Sequence, residues 1–302
     1  MAQTQKTVLT KRLCSFAMLV ICAAASSAPL QAQPSDDELT PISQECQSPG
    51  VTVSVNRPLP NTLKALRRRK VLKILAIGAS GSGGSDEWGA GYHDVIEVAL
   101  EKKLTGIDVQ IVERGVSGEL TSDAAVRLQT EVALNLPDLV LWQTGTNDAL
   151  AHIPVDEFSE ALTGGIRWLR AHNVDVVLVG QHYIYALRKD RHYQAIRGAL
   201  RRVSRREKVL RISRYEAMRM IEKLKRAHGQ PNEFALTEEG YSCLAEYVVR
   251  AITSSVLTKR ASRKKRGGFN KGGTNGAEGG DKAKNNDAKK RAPHRSGTPL
   301  AF

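Results

Sequence analysis

Three times in this chain a short, uninterrupted apolar run breaks off into a loop of small residues. Val71, Leu72, Ile74, Leu75, Ala76 and Ile77 lead into Gly78-Ala79-Ser80, and residues 109–112 lead into Arg114-Gly115-Val116-Ser117-Gly118. Residues 138–142, Asp-Leu-Val-Leu-Trp, lead into Gly145-Thr146-Asn147-Asp148. Apolar runs without polar alternation suit strands buried on both faces, the condition of a parallel sheet. Between the first two, Tyr92, Val95, Ile96, Ala99, Leu100 and Leu104 fall at helical spacing. Further strands are expected over residues 174–179 and 209–212. Helices are expected over 61–69, 124–136, 158–169, 192–203, 215–227 and 236–256, the last opened by Thr237 with Glu238 and Glu239 in its first turn. Strand and helix alternate throughout, which gives an α/β domain of about five parallel strands with helices on both faces.

The glycines of residues 71–84 fit none of three better-known motifs. A phosphate-binding loop needs Gly-Lys-Ser/Thr, and no lysine lies between Lys73 and Lys102. The dinucleotide frame G-x-G-x-x-G fails because Gly81 and Gly83 are followed by Asp86. The nucleophile elbow G-x-S-x-G fails because Ser82 stands where its second glycine belongs. Taken alone, this stretch reads as a Gly-Ser turn after a strand.

The three loops together say more. In a parallel sheet the carboxyl ends of the strands share one edge, so the loops converge there, where open α/β sheets bind ligands. Acyl transfer needs such a set, a hydroxyl nucleophile beside donors aimed at the developing oxyanion. Ser80 supplies the hydroxyl. The backbone N–H groups of Ser80 and Gly118 and the amide of Asn147 supply three donors.

On these blocks the chain resembles the SGNH (GDSL-like) hydrolase superfamily. Ile77-Gly78-Ala79-Ser80 is similar to its first block, with Ala79 where Asp is usual. Residues 114–118 resemble the second, and Gly145-Thr146-Asn147-Asp148 the third. The resemblance spans residues 71–247. It implies a three-layer flavodoxin-like fold and action on small-molecule, lipid or glycan esters, without a cofactor, by a monomer. The last block departs from the pattern. Matched on Leu236-Thr237-Glu238-Glu239-Gly240-Tyr241, the family's Asp falls on Asn232 and its general-base His on Ala235. Neither titrates usefully, and a serine without a base stays protonated and is a poor nucleophile.

A substitute histidine is therefore sought. His182 follows the fourth strand and lies at the catalytic edge; its alternative is a loop histidine bonded to backbone. His93 and His192 open helices, His152 follows the third loop, and all three read as surface residues. His228 reads as a cation at a helix end. No Cys/His pair has metal-ligand spacing. Trp142 and Trp168 read as core or half-buried, and Trp88 as a pocket residue. Tyr183 and Tyr185 either floor a substrate groove or pack, and Arg201, Arg202, Arg205 and Arg206 read as a solvated helix face.

Charge does not make this a nucleic-acid-binding domain. Of the net +14 of the 302 residues, +10 sits in residues 259–302, where thirteen Lys/Arg face three acids. That tail, counted here as 258–302, is nearly devoid of apolar residues and is expected to be disordered, binding polyanions weakly. At the other end, Lys6, Lys11 and Arg12 precede an apolar run at 13–25 and the small-residue site Leu30-Gln31-Ala32. This is the pattern of a signal peptide over 1–32, with an uncleaved anchor as the alternative, and it implies a periplasmic or secreted protein. The mature chain then carries no membrane span and two cysteines, Cys46 and Cys243, either as one disulfide or as two buried thiols. Residues 33–70 read as an irregular lead-in and 71–257 as the domain.

Overall fold

The computed structural model describes residues 41–79, 92–229 and 234–268, with side chains up to 257 and that of Ala79 excepted. The expected signal peptide over 1–32, Ser80, Trp88, Asn232 and the residues beyond 268 lie outside the described residues.

Five parallel strands form one sheet in the order β2-β1-β3-β4-β5. They are β1 (Val71–Ala79), β2 (Asp108–Val116), β3 (Leu139–Gln143), β4 (Asp175–Val179) and β5 (Leu210–Ile212). This is the flavodoxin-like order, whose direction reverses between β1 and β3 and opens a crevice at their carboxyl ends. Every residue of β3 and β4 is buried, which is why both are written as solid apolar runs. β2 is an edge strand, exposed along its carboxyl half. It runs to Val116 rather than ending at residue 112, because its polar stretch pairs with β1 as far as Ala79.

The helices are α1 (Pro60–Arg68), α2 (Tyr92–Lys103), α3 (Thr121–Asn135), α4 (Thr146–Leu150), α5 (Val155–Ala171), α6 (Arg191–Arg206), α7 (Arg214–Ala227) and α8 (Glu238–Gly268). α3, α5 and α6 pack in succession, and α2 packs on α8. Right-handed crossovers put these two groups on opposite faces of the sheet. The fully buried Trp142 marks the centre of the core, pressed so close to α5 that a Cβ on Gly165 would stand 2.5 Å from its ring. Trp168 is half-buried, and Arg201, Arg202, Arg205 and Arg206 are exposed.

Acidic residues at the amino edge fasten the entry to the sheet. Asp175 accepts from Asn61 Nδ2 (3.1 Å) and Thr62 N (2.8 Å), and Asp138 accepts from Lys73 N (3.1 Å) and Arg69. The lead-in also joins the fold. Ser54 bridges Ile212 in antiparallel sense, Ser213 N donates to Val53 O (2.6 Å), and a Cys46–Cys243 disulfide ties it to α8. Thr237 Oγ1 accepts from Gly240 N at 3.2 Å, so the expected cap opens α8, which continues to Gly268 rather than stopping at 256.

Candidate active site

The end of β1 is shaped for close approach. Gly78 has φ +104° and pairs with Gln143, whose carbonyl oxygen would lie 2.0 Å from any Cβ there. No side-chain-bearing residue fits this space. Ala79, the last residue of β1 before Ser80, pairs with Val116. Two residues beyond Val116, Gly118 sits exposed at φ +76° in a turn closed by Glu119 N to Val116 O (3.2 Å).

The second and third loops are locked together. Asn147 Nδ2 donates to Glu119 O at 3.0 Å. Beside it, the buried Asp148 carboxylate accepts from Thr121 N (3.0 Å) and Thr121 Oγ1 (2.8 Å), and Thr144 Oγ1 bonds that same hydroxyl. Asp148 thus holds the first residue of α3, and Asn147 holds the turn before it. An amide nitrogen carries two hydrogens, so the Glu119 bond leaves Asn147 a second donor next to Gly118. The structure therefore brings together two of the three oxyanion donors expected from the sequence; Ser80 follows immediately on β1.

The fourth loop joins the third. Gln181 Nε2 donates to Gly145 O (2.9 Å), and His182 N donates to Thr146 Oγ1 (3.1 Å). His182 is 6 % exposed, with its ring Nε2 2.9 Å from Arg214 Nη1 and 3.4 Å from Gln143 Nε2. A guanidinium only donates, so Nε2 accepts and Nδ1 carries the proton. Burial, and after it the Arg214 charge, pushes the His182 pKa well below 6.5. His182 is thus a neutral ring whose free lone pair is already bonded, and service as a base requires the Arg214 contact to open.

Arg214 is the residue that sequence reasoning missed. It is the first residue of α7 and fully buried, with Nη2 donating to Ala235 O (3.3 Å) and Cζ 5.1 Å from the Tyr241 ring centre. Burial lowers its pKa. Tyr241 in turn stacks on Tyr92, whose phenol burial pushes far up. The available signal was position: Arg214 follows a buried strand directly at the carboxyl edge. Ala235 itself, where the resemblance puts the base, is a buried methyl in a 3₁₀ turn at 234–236.

The remaining histidines stand apart from this group. His93 is buried rather than on the surface, because α2 lays it against the edge strand with Nδ1 2.7 Å from Glu113 Oε1; that contact holds the Glu113 carboxyl below its usual range. His192 is half-buried and its ring lies 5.0 Å from that of the exposed His152. His228 ends α7, exposed, with Nδ1 2.8 Å from Leu224 O. Among the described residues no cluster of His, Cys, Asp or Glu has the arrangement of a metal site.

The sheet order, the crevice and the converging second and third blocks agree with the SGNH/GDSL-like hydrolase superfamily. The chain belongs to the Non-GDSL lipase-like family, whose model matches residues 45–258. It is 28% identical over 113 residues to an arylesterase of Vibrio mimicus, a match covering 35% of this chain and 53% of that protein, so about half of the relative's length is spanned. Among solved structures, an α/β hydrolase enzyme from the metagenome of Lake Arreo, Spain, superposes with TM-score 0.50 at 21% identity, over 61% of this chain and 96% of that one. An acetyl xylan esterase gives TM-score 0.50 at 18% identity, over 60% and 100%. Both likenesses are of fold.

Proposed function

We propose that this domain is an exported ester hydrolase in which Ser80 is the nucleophile and Gly118 and Asn147 stabilise the oxyanion. The observation that carries the reading is the Asn147–Glu119 bond, which orients the amide and leaves one of its hydrogens beside the Gly118 turn. Donors fixed before reaction stabilise the developing charge without reorganisation. The arylesterase relative and the lipase-like family favour an ester as substrate, and a carbohydrate or lipid ester is the class that the SGNH resemblance implies. The Cys46–Cys243 disulfide favours an oxidising, extracytoplasmic compartment, and the domain acts as a monomer.

Without an Asp-His pair at 232 and 235, activity rests on positioning and oxyanion stabilisation, which in triad enzymes leave roughly 10³–10⁴-fold catalysis over water. Slow hydrolysis of aryl acetates is the expected result, abolished in Ser80→Ala and reduced about 10²-fold in Asn147→Ala. Undiminished activity in Ser80→Ala refutes the serine mechanism. His182→Ala assayed alongside decides the base: a fall as deep as that of Ser80→Ala assigns the role to His182.

A second reading has its own observation. With Arg214 on the His182 lone pair and a methyl at Ala235, the described residues offer no ready proton acceptor to the serine. A protein that binds an acylated ligand without cleaving it has this arrangement. Labelling by a serine-directed phosphonate, which needs an activated hydroxyl, separates the two readings.

A further inference from the structure

The loop that carries His182 also builds a second concavity, of about 440 Å³, against α7. Its wall is cationic: Arg188 comes from the loop, and Arg219, Lys223 and Arg226 come from one face of α7. Tyr185 organises the loop side. The Arg188 guanidinium carbon lies 3.7 Å from its ring centre and that of Arg226 3.9 Å. Two such groups cannot share one face, so the ring is held between them. Arg188 Nη1 also donates to Tyr185 O (2.8 Å), and Arg226 Nη2 to the Tyr183 hydroxyl (3.3 Å).

Holding like charges together costs energy unless something answers them. Arg226 lies 3.6 Å from Glu222, whereas Arg188, Arg219 and Lys223 take part in no ion pair among the described residues. Arg226 Nε is buried and makes no hydrogen bond among the described residues. Stacking fixes the guanidinium planes while leaving N–H edges for a ligand, and a fixed planar fork suits carboxylates bidentately. The α7 cations recur at intervals of four and three residues, about 5–6 Å apart along the helix. That is a track for charges repeated along a chain, rather than a cradle around a single ion.

We propose that this cleft is an anionic-ligand subsite that takes a carboxylate-bearing oligosaccharide, such as a run of uronic acid residues. Tyr183 adjoins His182 in sequence, so the subsite and the ester crevice share the loop after β4. The assignment of this oligosaccharide as the substrate's own chain rests on the hydrolase reading; the binding itself does not.

The test is calorimetric titration of the full chain with trigalacturonate, inorganic phosphate and neutral xylotriose. Trigalacturonate should bind, xylotriose should not, and Arg219→Gln/Lys223→Gln/Arg226→Gln should weaken trigalacturonate at least tenfold. The three positions are exposed or partly exposed, and an unchanged melting temperature verifies folding of the variant. A variant that melts early is replaced by Arg219→Glu/Lys223→Glu, expected to lose binding equally. Equal affinity in wild type and folded variant overturns the proposal, since the basic tail then does the binding. Phosphate binding as tightly as trigalacturonate overturns the oligosaccharide assignment. Aryl acetate turnover is measured separately: its absence refutes the hydrolase reading and leaves the binding result standing.

Discussion

Acid should destabilise this domain through one buried ring. An unfolded histidine takes up a proton near pH 6.5, while the folded His182 resists it, first through burial and then through Arg214. A group with a depressed folded pKa binds its proton more readily in the unfolded chain. For this histidine, stability is therefore full above pH 6.5 and falls as pH drops below it. The fall from pH 7.5 to 5.0 removes at most about 2 kcal/mol, the limit set by a folded ring that takes up no proton over the interval. Urea unfolding at pH 7.5, 6.5 and 5.0, for wild type and His182→Gln, isolates this contribution. The glutamine amide can still accept from Arg214 but does not titrate, so the variant should lose less stability than wild type over the interval, by at most about 2 kcal/mol. Groups that titrate independently of position 182 cancel in the difference. Parallel losses in the two proteins would refute the buried, neutral His182 and the Arg214 contact on which it depends.

Four further outcomes follow from the packing and the placement of charge. Gly78→Ala places a Cβ 2.0 Å from the Gln143 carbonyl oxygen at a φ of +104°, and should abolish soluble expression or lower the melting temperature steeply. Asp148→Ala strands the buried Thr121 N–H and leaves the Thr121 hydroxyl only its bond to Thr144, costing about 1–3 kcal/mol for the unsatisfied N–H in urea unfolding. Replacing Cys46 and Cys243 by Ser opens a link 197 residues long in sequence, which chain entropy values at no more than about 5 kcal/mol; thiol counts that are equal before and after reduction would rule the bridge out. Deleting residues 269–302 removes seven Lys/Arg and three acids and leaves the six Lys/Arg of residues 259–268, so polyanion binding should weaken and lose part of its salt dependence with the melting temperature nearly unchanged. A drop of several degrees would mean that the tail docks on the domain.

The sequence by itself determined the strands, their parallel arrangement and the three edge loops. Burial on both faces demands solid apolar runs such as those of β3 and β4, and a strand's carboxyl end fixes where its loop lies. It also carries the resemblance that sets Ala235 where the family's base is expected, read against Leu236 to Tyr241. It did not give the extent of β2, whose polar edge residues look like loop until Ala79 is seen opposite Val116. Nor did it give Arg214 as the partner of His182, or Tyr185 held between Arg188 and Arg226. Those partners come from different elements, 32 residues apart for Arg214 and His182. Local periodicity reports which face of an element is buried; only the tertiary structure decides what that face meets. A lone pair engaged by a guanidinium, or a set of cations gathered into one cleft, exists only once separate elements have packed.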